Sequence, residues 1–152
     1  MMFIPEKSAA IQEAKRVLME GGLFAFSVWD SLEHNHFGRT AHDVVTSFFD
    51  SDPPTFYQIP FGFHDPDLWI NLLLKYGFKN PEAQLVSFEA RSDLAESFAI
   101  GIVRGNPVSL AIQDRGLSFD SIVSAVRDAL IRTGGDHPFR SPTQAYVLTA
   151  RA

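Results

Sequence analysis

The chain has 152 residues, a formal net charge of -5 and no cysteine. Its 45% hydrophobic and 20% charged residues are typical of one globular domain and exclude a disordered chain. Nucleic-acid binding requires clustered Lys and Arg, and the sequence has no basic run, so no nucleic-acid partner is expected. No apolar run approaches the roughly 20 residues that span a bilayer, so we predict no membrane span and a cytoplasmic location.

The first predicted element is a helix that begins at Ser8, as its N-cap, and ends at Gly21 and Gly22. A nearly unbroken apolar run, 23–29, follows it. Such a run lacks the alternation of a strand with one wet face, and it is typical of a central strand covered on both faces. The polar segment 30–35 is predicted to be a loop.

The middle of the chain is predicted to contain two helices separated by an irregular aromatic segment. Apolar residues recur at helical spacing over 37–48, and Pro53-Pro54 ends that helix. The segment 55–63 contains several of the chain's 14 Phe residues. A second helix begins with Asp65 as N-cap and Pro66 in its first turn.

The chain from residue 83 onwards is predicted to form two strands and three helices. A strand is expected over 83–90, and Asp93 with Glu96 resembles a capping box that opens a helix. A short helix follows and ends near residue 116. A long amphipathic helix then begins at Phe119, and 143–151 alternates as a C-terminal strand. The order of elements is that of a layered α/β domain.

One stretch resembles a known family. The residues 13–30, EAKRVLMEGGLFAFSVWD, resemble the segment of class I S-adenosylmethionine-dependent methyltransferases in which a helix passes through a Gly-Gly turn into the fifth strand. The residues 2–7 resemble the loop after the family's fourth strand, and 76–78 (YGF) resemble the turn before the sixth. The residues 143–152 resemble the seventh strand. Glu20 departs from the pattern, because the family usually has Pro there.

The resemblance implies the C-terminal half of a methyltransferase, with a partial Rossmann-like fold. The expected sheet is short and mixed, with strands corresponding to 5, 7 and 6 of the family and an antiparallel C-terminal strand. We expect a single domain, 1–152, with a helical insertion at about 92–116. The Gly-rich loop and the ribose-binding acidic residue of the family belong to its first two strands. Neither has a counterpart here, so the chain alone is expected to bind no cofactor, and S-adenosylmethionine only if an N-terminal half completes it.

Candidate residues follow from two considerations. Ligands of open α/β sheets bind at the carboxyl ends of strands, which favours Asp30. In relatives this region faces the substrate, so the resemblance implies further pocket residues, although aromatic packing in a core explains them equally well. The candidate substrate-pocket residues are Trp29, Asp30, His36, Tyr57, Phe61 and Phe63. No catalytic residue is identified.

A metal site is not predicted. His34, His36 and His42, with Asp43, are of ligand type, but their spacing matches no known ligand pattern. Arg104, before Gly105-Asn106-Pro107, is of a type that binds anions. A helix break capped by Asn106 explains that segment more simply.

These predictions lead to three functional hypotheses. The chain contributes the acceptor-substrate side of methyl transfer to a small molecule and is inactive alone. Alternatively, it is a non-catalytic remnant that acts as a dimerisation module, or it binds a small apolar ligand. Since an apolar strand with an unpaired edge favours association, we expect a homodimer or a separately encoded N-terminal half to cover the edge of strand 23–29.

Overall fold

The computed structural model describes every residue from Met1 to Ala152, and it has an α/β fold of seven helices and three strands. The helices are α1 (Lys7–Val17), α2 (His36–Thr46), α3 (Gln58–Gly62), α4 (Pro66–Lys75), α5 (Ala95–Arg104), α6 (Val108–Asp114) and α7 (Phe119–Gly134). The strands are β1 (Leu23–Trp29), β2 (Lys79–Ser92) and β3 (Phe139–Arg151). None of the helices combines the length and apolar character needed to cross a bilayer.

The three strands form one sheet in the order β1-β3-β2. β3 is antiparallel to β1, with Leu23 opposite Arg151 and Trp29 opposite Ala145. The C-terminal strand therefore has the middle position that the sequence predicted. The expected mixed sheet is wrong: the sheet is antiparallel. β1 and β2 are not neighbours, because the antiparallel β3 lies between them.

The expectation that β1 is covered on both faces is wrong. Phe24, Phe26 and Val28 pack into a hydrophobic core, whereas the alternate residues Leu23, Ala25 and Ser27 are exposed. β1 is also an edge strand. Leu23 and Ala25 are apolar but exposed to solvent. The exposed face of β1 therefore does not show as polar residues in the sequence, and the alternation typical of a strand with one solvent-exposed face is missing.

The Gly-Gly turn joins α1 to β1 as predicted. Gly21 has φ = +75°, a conformation that strains any residue with a Cβ. A Cβ on Gly22 would lie 2.9 Å from the carbonyl oxygen of Met19. The backbone N–H of Gly21 donates to the carbonyl of Ala152, and that of Ala152 donates to Gly22, both at 2.8 Å. The turn thus secures the end of β3.

Helix starts were predicted with mixed success. Asp65 is the N-cap of α4, and its carboxylate accepts from the Asp67 N–H at 2.9 Å. Ser8 is wrong as a cap, because α1 already begins at Lys7. The capping box of Asp93 is also wrong, since the N-cap of α5 is Leu94, without a side-chain bond. Local sequence does not distinguish such caps from polar residues one position away.

The chain is divided into two compact units. The sheet unit comprises Met1–Ser31, Ile59–Ser87 and Gln144–Ala152, and the helical unit comprises Leu32–Gln58 and Phe88–Thr143. α5 and α6 lie within the predicted insertion and belong to the helical unit, which also contains α2 and α7.

The core of the sheet unit is rich in aromatic rings. Trp69 is fully buried, and its ring centroid lies 5.0 Å from that of Phe26 and 4.6 Å from that of Phe63. Its indole N–H donates to the carbonyl of Phe63 at 2.9 Å. Ile11, Leu73 and Leu148 complete this core at 0% exposure.

The core of the helical unit is mainly aliphatic. Its fully buried residues come from α2, α5, α6, α7 and the start of β3, and they include Val45, Val103, Ile112, Ile122, Leu130 and Phe139. Ser118 caps α7 by accepting from the Ser121 N–H at 3.3 Å. Helix packing therefore stabilises this unit.

Candidate functional site

The carboxyl end of β1 places three of the predicted pocket residues in the sheet unit. Asp30 is 5% exposed, and its carboxylate accepts from the N–H of Ser31 at 2.6 Å. The Trp29 ring lies 5.9 Å from that of Phe61, which is 5% exposed. Asp30 and Phe61 are thus largely enclosed by protein, and Trp29 is half-buried.

Phe63, the fourth predicted residue in this unit, lines an open cleft. The cleft has a volume of about 450 Å³ and is formed by Met2–Pro5, Lys7, Ile59, Gly62 and Phe63. Its walls are mostly apolar, and two of them, Phe3 and Ile59, are at least half-exposed. Met2 also accepts a hydrogen bond through its Sδ from the Trp29 N–H, at 3.4 Å. Met2 therefore both lines the cleft and contacts the last residue of β1.

Lys7 is the charged group of the cleft. Its ammonium donates to the carbonyls of Met2 at 2.9 Å and Ile4 at 2.6 Å, and it lies 5.6 Å from the centre of the Phe63 ring. Burial lowers the pKa of Lys7 below its ordinary value. A lysine ammonium has three donors, so one N–H remains after these two bonds. It is available to an oxygen of a bound molecule.

Sequence reasoning missed Lys7, and it also missed Tyr146. Tyr146 lies opposite Val28 in the register of β1 and β3 and is half-buried. Burial, followed by the negative charges of Asp30, Asp65 and Asp67, raises its pKa above the ordinary value. Pairing the alternating C-terminal strand with β1 would have placed Tyr146 beside the end of that strand. No sequence pattern placed Lys7 at the cleft, because its position there depends on how the N-terminal segment folds.

The other two predicted residues belong to the helical unit. His36 is the first residue of α2 and is exposed. Tyr57 is 2% exposed in the helical core, where its hydroxyl donates to the carbonyl of Ile102 at 2.8 Å. Burial raises the pKa of Tyr57 well above its ordinary range. In this unit Tyr57 has a core contact that explains its burial without a ligand.

Among the remaining polar candidates, Asp43, Arg104 and Asn106 have structural contacts. Asp43 pairs with Arg39 at 2.9 Å, and no group of three or more metal-type side chains is assembled. The Nδ1 atom of His42 is buried without a hydrogen-bond partner. Arg104 pairs with Asp120 at 2.7 Å and lies over the Phe119 ring. The Asn106 amide donates to Ile102 at 2.8 Å and closes α5, as the capping interpretation predicts.

Comparisons with known proteins find similarity among solved structures. No family model matches the sequence, and no curated protein matches it. Among solved structures, the chain is similar to a proposed methyltransferase from Bacillus halodurans C-125, with 18% identity and a TM-score of 0.49. The match covers 97% of this chain and 63% of that one, so the chain spans less than two thirds of its length. A similarity of this size assigns no activity to the chain.

Proposed function

We propose that this chain supplies the acceptor-substrate side of S-adenosylmethionine-dependent methyl transfer to a small molecule. The observation that carries the proposal is the cleft of about 450 Å³, with the remaining Lys7 donor at its apolar walls. Small-molecule sites are concave and mostly apolar, with few polar groups that set orientation. An acceptor with an apolar body and a hydroxyl or carbonyl oxygen matches this cleft.

The position of the cleft supports the same proposal. Its first wall is the segment 2–7, which resembles the loop after the family's fourth strand, and Met2 contacts the end of β1. Methyl transfer depends strongly on orienting the acceptor, which apolar walls and one donor can do. The part of this chain in the reaction is therefore to bind and orient the acceptor.

The residues present do not fit the cofactor. The segment after β1, 30–35, contains no glycine, and β2 is followed by Asp93 and Leu94. Neither provides the Gly-rich turn that lets backbone approach a nucleotide. We therefore assign S-adenosylmethionine, which would supply the methyl group, to a separate N-terminal half.

The same proposal accounts for the free edge of β1. β1 pairs with β3 alone, and unpaired strand edges recruit further strands. We assign this edge to a strand of the N-terminal half, so the isolated chain should be a monomer by size-exclusion chromatography with light scattering. A stable dimer would show instead that a second copy covers the edge, and it would favour the alternative of a non-catalytic dimerisation module.

Binding of 2-naphthol tests the cleft, because this probe combines a flat apolar body with one hydroxyl. Titration of ¹⁵N-labelled protein should shift amide signals over 2–7 and 59–63. A Cβ on Gly62 meets nothing within 4 Å, so Gly62→Leu places its side chain in the open space of the cleft and should abolish those shifts. Lys7→Met should weaken 2-naphthol several-fold and leave naphthalene unaffected.

Gly101→Leu, at an exposed site of the helical unit, is the matched control and should leave these shifts unchanged. The proposal is wrong if 2-naphthol shifts no signal in the cleft at millimolar concentration. It is also wrong if Gly62→Leu folds and binds 2-naphthol as well as the unchanged protein does.

A further inference from the structure

The helical unit contains a separate cavity of about 390 Å³ that is open to solvent. Its apolar lining includes Phe37, Phe98 and Gly101. Its polar lining includes Arg91, Ser97 and Asn106. None of the residues that line it was among the predicted pocket candidates. Its volume is within the range of small-molecule sites.

The aromatic wall of this cavity is anchored to the core. The rings of Phe37 and Phe98 meet edge to face, with centroids 5.5 Å apart and planes at 79°. Phe98 also lies 4.8 Å from Phe139, which is 0% exposed. The wall is therefore held in place before any ligand binds, which lowers the entropic cost of binding.

Gly101 is unexplained by packing within the protein. It lies in the interior of α5, where glycine destabilises a helix relative to alanine. A Cβ at this position would meet nothing within 4 Å, so no neighbouring protein atom requires a glycine. The open space is that of the cavity, and glycine lets a bound molecule approach the helix backbone.

Arg91 is the one charged residue among those that line the cavity. It forms no ion pair, in contrast to Arg140, which pairs with Glu89 at 3.1 Å. In a chain with a net charge of -5, an unpaired arginine beside an aromatic wall is a specific feature. A guanidinium offers paired donors that match the two oxygens of a carboxylate.

We infer that this cavity binds a small carboxylate with a flat apolar body, which lies against Phe37 and Phe98 over Gly101 while its carboxylate pairs with Arg91. The inference does not depend on the proposed methyl transfer, since it involves only residues of the helical unit.

The experiment compares 2-naphthoate with its neutral counterpart 2-naphthamide by amide shift mapping on the intact chain. Naphthoate should shift signals over 91–106. Arg91→Gln should weaken naphthoate by about tenfold, the effect of losing a charge-assisted hydrogen bond, and leave naphthamide unchanged. Arg132→Gln removes an arginine of the same unit that does not line the cavity, and it should alter neither affinity.

Two glycine variants separate filling of the cavity from misfolding. Gly101→Leu should abolish binding of both probes, whereas Gly101→Ala should raise the melting temperature and retain binding. Gly62→Leu should leave naphthoate binding unchanged. The inference is overturned if naphthoate shifts no signal over 91–106 at millimolar concentration, or if Arg91→Gln weakens both probes equally. Such failures would leave the 2-naphthol result in the sheet unit unaffected.

Discussion

The sheet unit and the helical unit differ in their largest fully buried side chains, which are Trp69 and Phe139. In the sheet unit, Trp69 is enclosed by the rings of Phe26 and Phe63, and its indole N–H is bonded to backbone. The buried residues of the helical core are mainly aliphatic, and six partly buried Phe residues pack against them. The buried Tyr57 hydroxyl of this unit donates to the carbonyl of Ile102. Both cores combine ring contacts with aliphatic packing, and the larger ring of Trp69 buries more apolar surface in a single residue.

The two units also differ in what their sequences contain. The segments that resemble methyltransferases, 13–30 and 76–78, lie in the sheet unit, as does nearly all of 143–152. Of the segments that resemble methyltransferases, the helical unit contains only residue 143. Its helices were predicted from apolar spacing alone. The topology of one unit was therefore predicted from a resemblance between sequences, and the elements of the other from local physical chemistry.

The largest expected effect is that of Trp69→Ala. Removing this fully buried ring leaves a cavity and an unpaired Phe63 carbonyl, which should lower the free energy of unfolding by about 3–5 kcal/mol. Leu130→Ala in the helical core should cost about 2–5 kcal/mol. Urea denaturation measures both, and Trp29→Ala, at a half-buried ring, is the control with a smaller loss. A loss below about 1 kcal/mol for Trp69→Ala would contradict the aromatic core.

An intermediate effect is expected for Tyr57→Phe, which removes the buried hydroxyl and leaves the Ile102 carbonyl unpaired. The loss should be about 1–2 kcal/mol near neutral pH. Burial raises the pKa of Tyr57 in the folded state, so its contribution is complete below the ordinary pKa of about 10. That contribution is lost as pH rises above this value, because the unfolded chain releases the proton first.

Denaturation between pH 8 and 11 checks the sign of this dependence. The unchanged protein should lose stability more steeply than Tyr57→Phe towards the alkaline end. Equal slopes for the two proteins would mean that the Tyr57 hydroxyl is not sequestered in the folded state.

The smallest effects are expected at two helix caps. Asp65→Ala should cost about 1 kcal/mol, because the carboxylate bonds to the Asp67 N–H at 2.9 Å. Ser118→Ala should cost less, because its bond to the Ser121 N–H is longer, at 3.3 Å. Thermal unfolding of both variants ranks the caps. The reverse order would show that the charge and distance of the cap do not set its contribution.

These caps also show how far sequence reasoning reaches. Asp65-Pro66 was correctly placed because proline is tolerated only in the first turn of a helix. Ser8 and Asp93 carried no such constraint, and their helices begin elsewhere. The bounds of β1 were predicted correctly, but its exposed face was not, since burial depends on the neighbouring elements.

The candidate site was less predictable than the fold. Phe63, one of the pocket candidates that the resemblance implied, lines the cleft, and its role there stays a prediction. Lys7 was not identified, because the position of its ammonium is set by hydrogen bonds to the carbonyls of Met2 and Ile4. These two carbonyls converge only when the N-terminal segment folds. Arg91 was likewise not identified, because the sequence does not reveal that it lacks the carboxylate partner that Arg140 has in Glu89.

In the proposed function, this chain binds the acceptor and not the cofactor. Calorimetric titration of the isolated chain with S-adenosylmethionine tests it most directly, with 2-naphthol titrated into the same preparation to establish that the protein is competent to bind. We predict heat of binding with 2-naphthol and none with S-adenosylmethionine. Tight, saturable binding of S-adenosylmethionine by the chain alone would contradict the account.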